Sequence, residues 1–470
     1  MKLEVVVLIL LHGLGLASAV RVVMEDRSPQ GAIAWALSLT VFPLVALPVY
    51  WVFGGRRFHG YVAARRRDDL NMFRHSKTLE AQLPPFLAPR ETRVHSGLAR
   101  IAYGSWLEGH RAGLLIDGKA TFDAMFSAME RAEHTVWVQF FAIHNDQLGL
   151  AFCEQLAVCA GRGLTVLLLY DPMGSHQLSR RQLRLLADAG VRVASFSTVR
   201  GLGKRFQINF RNHRKLVIVD GETAFVGGHN VGDDYLGKNP ELPFWRDTHC
   251  WVRGPAVACL ELAFLEDWHW ATGEILPFQP VVSRDANPGI KVLSLPTGPA
   301  DDFAGCHLMF LDLIHNAVDR LWIATPYFVP DPAVIAALTL AAVRGVEVRV
   351  LLPERADHLA VYLSSYAYIN ELDGFGIKFY RYRPGFLHQK VVLVDDDLAA
   401  VGTANFDYRS FFLNFEITLL FHDRDFAEQV RLMLEADFAR GRRVTAKSFR
   451  ERPFWFRFAV SVARLFAPLQ

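Results

Sequence analysis

Cysteine is scarce and scattered in this 470-residue chain. The five present, Cys153, Cys159, Cys250, Cys259 and Cys306, form no C-x-x-C pair and mostly lie in apolar surroundings. That pattern excludes a disulfide scaffold and a zinc ribbon, and it reads as reduced core thiols in a cytosol-facing domain. Net charge is slight: 51 Lys and Arg against 48 Asp and Glu leave +3, too little to argue for nucleic acid. The GLGK string at 201–204 lacks the full phosphate-loop pattern and a following Ser or Thr, so it reads as a flexible loop. No acidic cluster resembles a metal site; Asp395-Asp396-Asp397 sits at a turn, where carboxylates are solvated. Neither metal nor cofactor is expected.

Charge is missing altogether between Arg27 and Arg56. Within that gap, Gly31–Gly55 is apolar and long enough to span a hydrocarbon core of about 30 Å, with Pro43 and Pro48 tolerable inside a spanning helix. Tyr50 and Trp51 stand where an interfacial belt belongs. Arg56, Arg57, Arg65, Arg66 and Arg67 follow, which places the C-terminal side in the cytoplasm. The earlier apolar stretch, Val5–Val20, reads either as a first span or as a signal ending at Ala17-Ser18-Ala19. A hairpin of two transmembrane helices over residues 1–57 is the preferred reading, because Arg21 can snorkel.

The most informative feature is a string that occurs twice. HRKLVIVDGETAFVGGHN begins at His213 and HQKVVLVDDDLAAVGTAN at His388, 175 residues later. Lys215, Asp220, Gly227 and Asn230 recur as Lys390, Asp395, Gly402 and Asn405 at identical offsets. Each copy reads as a β-branched strand, a turn at the Asp and a returning strand. His and Lys, two apart at the strand entry, project from one face and can meet one phosphate group. The Asp has opposite parity and is expected to tie down backbone. A duplicated His–Lys–Asn set predicts one active site built from two halves.

These paired H-x-K-x4-D strings resemble the phospholipase D superfamily. The flanks, INFRNHRKLVIVDG, FWRDTHCWVRGPAV and VGTANFDYRSFFLNFE among them, resemble the membrane-bound bacterial cardiolipin synthases. The resemblance covers almost the whole chain. It implies an α/β fold of two phospholipase D-like lobes about a pseudo-two-fold axis, and a motif set of His213, Lys215, Asp220, His388, Lys390 and Asp395. The superfamily often carries Ser or Thr after the late Gly; Thr403 fits and Gly228 does not, which implies that the halves are not equivalent. Location in a bacterial inner membrane, multi-pass, with cytoplasmic catalytic lobes, is the matching expectation.

A weaker repeat accompanies the motifs. AMERAEHTVWVQFFAIHND is echoed by LIHNAVDRLWIATPYFVPD, with Trp137 and Trp322 in equivalent strands, and AGRGLTVLLLYDP by AVRGVEVRVLLPE. The expected layout is an irregular collar at 58–110, a first lobe at 111–285, a second at 286–440 and a basic amphipathic tail at 441–470. The tail mixes arginines with Phe, Trp and Leu, which suits either an interfacial helix or docking on the core.

Two imidazoles can split a phosphodiester: one attacks phosphorus, the other protonates the departing alcohol and then deprotonates the incoming hydroxyl. Lys215, Lys390, Asn230 and Asn405, with Thr403, would hold the phosphate oxygens. Asp247 and Glu416 are candidate orienting carboxylates, with Glu241 a rival in a polar loop. The basic run Arg200, Lys204, Arg205, Arg211 and Arg214 could attract head groups, while His229 and His249 read as packing residues. The expected partners are phosphatidylglycerol and anionic lipids, not nucleic acid. Phosphatidyl transfer giving cardiolipin and glycerol is the expected reaction; phospholipase D-type hydrolysis to phosphatidic acid is the alternative. A non-catalytic scaffold would have lost a motif His or Lys, and all four are present.

Overall fold

The computed structural model describes residues 3–25, 29–54, 69–88, 96–196, 209–239, 244–282, 289–355 and 357–467. Two bodies divide the chain, one of residues 1–60 with 198–210, the other of 61–197 with 211–470.

In the first body, helix Leu3–Met24 is apolar apart from Glu4, His12 and Arg21, and its outward side chains (Leu8, Leu10, Leu16 and Val20 among them) are exposed. It is the one helix among the described residues long and apolar enough to cross a membrane. The continuous second span expected from the sequence is instead two helices, Pro29–Val41 and Pro43–Phe53. Pro43 has no N–H to give and pushes Phe42 out of the helical region, to φ −127 and ψ 56. Both pieces pack on the first helix through a cluster of Ala19, Val22, Leu39, Ala46, Leu47 and Tyr50. Arg56, Arg57 and Arg65 to Arg67 lie outside the described residues.

The second body is organised by one mixed sheet of sixteen strands. The strands in the first half of the body are β1 (Leu107–Ile116), β2 (Thr135–Phe140), β3 (Thr165–Tyr170), β4 (Arg192–Ser195), β5 (Arg211–Asn212), β6 (Leu216–Val219), β7 (Thr223–Gly227), β8 (Trp245–Arg246) and β9 (Thr248–Arg253). Those in the second half are β10 (Ile290–Thr297), β11 (Arg320–Ala324), β12 (Phe328–Val329), β13 (Glu347–Pro353), β14 (Lys378–Tyr382), β15 (Phe386–Leu387), β16 (Val391–Val394), β17 (Leu398–Gly402), β18 (Phe406–Asp407), β19 (Asn414–His422) and β20 (Gly441–Val444). Strands β8 and β15, and β12 and β18, form two separate two-stranded ladders outside the large sheet. The sheet runs β1-β9-β7-β6-β2-β3-β4 in one direction from its centre and β10-β19-β17-β16-β11-β13-β14-β20 in the other. The two runs meet where β1 and β10 pair antiparallel, Leu107 against Val292. Antiparallel pairing of equivalent strands is what a two-fold axis between them requires. The weak internal repeat of the sequence is thus a structural one.

Strand parity assigns the faces. In β2, Val136, Val138 and Phe140 join the core beneath helices Asp117–Arg131 and Gln147–Gly161. The alternate residue Trp137 stacks on Phe264 of helix Ala256–Thr272, ring centroids 5.4 Å apart. Trp322 of β11 likewise meets Phe438 of helix Arg424–Ala439, but edge-on, with centroids 5.5 Å apart. With both faces covered, LVIV in β6 and VVLV in β16 are buried without interruption. The expected irregular collar contains a helix, Asp69–Gln82, with Leu79 buried. Its few apolar positions hide the helical period; contact with helix Ala256–Thr272 compensates. Strand β1 begins at Leu107, inside the segment expected to be collar.

Each motif hairpin turns at a left-handed Asp, Asp220 at φ 53 and Asp395 at φ 51. The Asp220 carboxylate accepts from the backbone N–H groups of Glu133, His134 and Thr135 at 2.8–2.9 Å. Asp395 does the same for Val318, Asp319 and Arg320. These carboxylates therefore anchor β2 and β11 at the far end of the hairpin from the histidines. Asp395→Ala should lower stability by about 2 kcal/mol, from three N–H groups losing a charged acceptor plus the left-handed backbone. Asp395→Gly should recover the backbone part only. Thermal unfolding in detergent tests this, and equal midpoints for Ala and Gly would show that strain plays no role.

Candidate active site

The histidines sit just ahead of β6 and β16, and each is held by the opposite half of the sheet. Strand β5 pairs parallel with the start of β19, and β15 pairs parallel with β8. The His213 N–H donates to Phe415 O and the His388 N–H to Arg246 O, both at 2.8 Å. This exchange crosses the carboxylates as well. His213 Nδ1 lies 2.9 and 3.0 Å from the Glu416 oxygens, and His388 Nδ1 lies 2.7 Å from Asp247 Oδ2. Both candidate carboxylates are therefore brought to the site, each beside the histidine of the other lobe. Glu241 lies outside the described residues.

The ammonium groups fold back on the same loops. Lys215 Nζ donates to His213 O at 2.8 Å, and Lys390 Nζ to His388 O. All four side chains are buried. Aromatic rings wall them in: Phe141 lies 5.1 Å from the His213 ring, and Trp245 5.1 Å from that of His388, with Tyr235 and Phe386 beside it. These rings come from segments far apart in the chain, Trp245 from β8 and Phe386 from β15 among them, and no local sequence signal marks them.

The Gly228 and Thr403 difference follows from carboxylate length. Thr403 Oγ1 donates to Glu416 Oε2 at 2.6 Å, and Ser410 and Asn414 donate to Oε1. At the equivalent place in the first lobe, a Cβ on Gly228 would collide with the Asp247 carboxylate. Glu with Thr on one side and Asp with Gly on the other fill the same space. Thr403 is fully buried, so its hydroxyl positions Glu416, where a phosphate contact was expected.

The other expected residues divide. Asn230 accepts from the Ala142 N–H at 3.2 Å and donates to the Tyr235 hydroxyl at 2.9 Å, which ties it to the first lobe. Asn405 leaves its buried amide oxygen without a partner. Arg214 is buried and points away from the histidines. It meets Asp267 at 2.8 Å and donates to Glu416 O, so it braces the sheet where head-group attraction was expected. Lying between His213 and Lys215, it has the opposite parity and faces away from them. Arg246 braces the other lobe through Asp437 at 2.8 Å. Arg200, Lys204 and Arg205 lie outside the described residues. His229 and His249 are a buried pair, Nδ1 to Nδ1 3.0 Å.

Burial sets the protonation. It lowers His213 to about 4, with Lys215 and Lys390 adding to the shift and Glu416 opposing it. His388 is held well below its ordinary 6.5, first by burial and then by both lysines. Burial brings Lys390 down to about 8 against the pull of Asp247 and Glu416, and burial with repulsion from Lys390 brings Lys215 well down. Glu416 resists its own burial and lies low, because His213 and Lys215 favour its anion. A neutral imidazole with Nδ1 on a carboxylate keeps a free Nε2 lone pair.

A histidine lowered in the fold adds stability that is complete above 6.5 and is lost as pH falls through the folded value. Between pH 7 and 5, His213 at about 4 accounts for about 2 kcal/mol of lost stability. His213→Gln removes that component, so its unfolding midpoint should fall less over this range than the parent's. Parallel midpoint curves for the two proteins would contradict the assignment.

Comparison with known proteins agrees with this arrangement. The family model described as "Cardiolipin synthase, PLD-like domain" matches residues 125–268 and 310–438, and "Phospholipase_D-nuclease N-terminal" matches 6–55. Cardiolipin synthase A of Pseudomonas putida (strain GB-1) is 47% identical over 98% of this chain and 97% of its own length. Cardiolipin synthase A of Pseudomonas entomophila (strain L48) is also 47% identical, with the same coverage. In fold, the phosphatidylserine synthase of Haemophilus influenzae Rd KW20 is similar with a TM-score of 0.60 at 13% identity, over 81% of this chain and 100% of that one. With two matched lobes and near-complete alignment to such relatives, the chain belongs to the cardiolipin synthase family, membrane-associated phosphatidyltransferases of the phospholipase D superfamily.

Proposed function

We propose that this enzyme transfers a phosphatidyl group from one phosphatidylglycerol to the hydroxyl of another, with His213 as nucleophile and His388 as acid and then base. The observation that carries the reading is the reciprocal pairing of His213 with Glu416 and His388 with Asp247 in one buried cluster. Nε2 of His213 attacks phosphorus, the bond to the glycerol oxygen breaks, and His388 gives that oxygen a proton. The second lipid's hydroxyl then yields its proton to His388 and attacks phosphorus, and the P–N bond breaks. Two phosphatidylglycerols become one cardiolipin and one glycerol.

The electrostatics supply the proton. Two lysines, two carboxylates and two neutral imidazoles sum to no net charge, so an entering phosphodiester brings one uncompensated negative charge. That charge offsets the lysines that hold His388 down and favours its protonation. Lys215, Lys390 and Asn405 would stabilise the phosphate oxygens. His213 suits the nucleophile because its carboxylate is the better fixed, by Thr403, Ser410 and Asn414. Arg211 and Arg409, half-buried near Asp171, extend the positive field beside Glu416. They offer a seat for the acceptor's own phosphate. Both lobes would face the cytoplasm behind a multi-pass anchor, as the arginines after Gly55 imply.

His213→Ala and His388→Ala should each reduce turnover by about three orders of magnitude or more with little change in unfolding midpoint, since each removes a covalent or proton-transfer role. Near-parental turnover in either variant would contradict a single two-lobe site. With labelled phosphatidylglycerol alone, cardiolipin and glycerol should form in equal amounts. Dominant phosphatidic acid would instead support the hydrolase. Quenching turnover with denaturant at neutral to mildly alkaline pH, where a P–N bond survives, should leave phosphorus label on the peptide carrying His213; label on the His388 peptide would exchange the two roles.

A further inference from the structure

The C-terminal helix Phe454–Leu465 carries two apolar faces, and only one of them is used within the chain. Val460 and Ala463 are buried against helix Leu359–Leu372, where Phe456 meets Tyr366 edge-on at 5.3 Å. Arg464 lies over the Tyr368 ring and pairs with Glu371. The helix is therefore fixed to the second lobe. At about 100° per residue, Phe454, Trp455, Phe458, Val462, Leu465 and Phe466 fall into one stripe about 120° wide. All six are exposed, Trp455 at 76% and Leu465 at 78%.

A soluble surface seldom carries a contiguous aromatic stripe of this kind without a partner. The charge around it says which. From Lys447 to Phe466 there are five basic residues, Lys447, Arg450, Arg452, Arg457 and Arg464, against the single acid Glu451. Large apolar side chains flanked by arginines match an anionic lipid interface, with the rings at acyl depth and the guanidiniums among phosphates. The supporting helix adds a link to the chemistry. It starts at Leu359, itself exposed, directly after Asp357 and His358. Asp357 accepts from Tyr327, and His358 is close enough to depress His388.

We propose that helix Phe454–Leu465 is a membrane-docking element whose outward stripe lies in the interface of a bilayer containing anionic phospholipid, seating the second lobe's site at the height of its substrates. The proposal rests on the reading that those substrates are bilayer lipids. Docking that orders the site toward the lipid also helps to exclude water while the second hydroxyl arrives.

The test uses the full chain reconstituted in vesicles of phosphatidylglycerol and phosphatidylcholine. The fluorescence difference between parent and Trp455→Phe isolates Trp455. It should be quenched by bromine-labelled acyl chains and become at least twofold less accessible to iodide than in detergent. A second variant, F454S/W455S/F458S, should keep its unfolding midpoint and its turnover in detergent-mixed micelles. Its apparent KM in vesicles should rise about fivefold or more, the effect of losing three interfacial aromatic side chains. Unchanged iodide access in vesicles would overturn the proposal, as would parental kinetics in both settings. Equal loss in micelles and vesicles would assign the stripe to folding or catalysis. Self-association abolished by the same substitutions would assign it to a second copy; either result overturns docking. The quenching readout does not depend on which lipid product forms, so failure of the transferase reading would be seen separately.

Discussion

Each motif histidine borrows its carboxylate from the other lobe, and the rest of the cluster depends on that exchange. Glu416 at the start of β19 reaches His213, and Asp247 just before β9 reaches His388. A buried carboxylate is expensive unless it is paired and hydrogen-bonded. Separating the lobes would therefore strand two buried anions and free both imidazoles to rotate. The β1–β10 seam and the short β5–β19 and β15–β8 pairings hold the lobes in register. The scaffold and the reaction centre are thus one structure, and neither lobe carries a complete site.

The symmetry is strict in backbone and relaxed in side chains. Gly228 and Thr403 occupy equivalent places, as do Asp247 and Glu416, and each change in one is matched by its neighbour. The shorter carboxylate needs a glycine to let it approach, whereas the longer one leaves room for a hydroxyl that binds it. The lobes consequently fix their histidines differently, Glu416 with three side-chain donors and Asp247 with the Thr248 N–H. The two chemically identical rings therefore sit in different surroundings. Asp267 and Asp437 recur behind the two halves, the first paired with Arg214 and the second with Gln389 and Arg246.

Two helices of the chain present exposed apolar surface. The N-terminal helix Leu3–Met24 exposes Leu8, Leu10, Leu16 and Val20 away from its packed face, and the C-terminal helix exposes a stripe bordered by arginines. The two lobes enclose a buried polar cluster in which burial lowers the proton affinity of two lysines and a histidine. An anion in such a cluster would raise the proton affinity of the lysines and of the histidine together.

Much of this was legible in the residues. The doubled His–Lys–Asp spacing announced one site from two halves, because a period-two strand forces His and Lys onto one face. The turn position of Asp220 and Asp395 foretold their hold on backbone. Asp247 and Glu416 could be named as partners, but not which histidine each would serve, since pairing across the seam depends on how two sheets join. The same limit hid the role of Thr403, whose hydroxyl meets a carboxylate that only the fold brings near. Pro43 stood in plain sight, yet whether the second apolar segment bends or breaks was decided by packing of both pieces against the first helix. Local spacing sets which way a side chain points; which partner waits there is set by contacts between residues far apart in the chain.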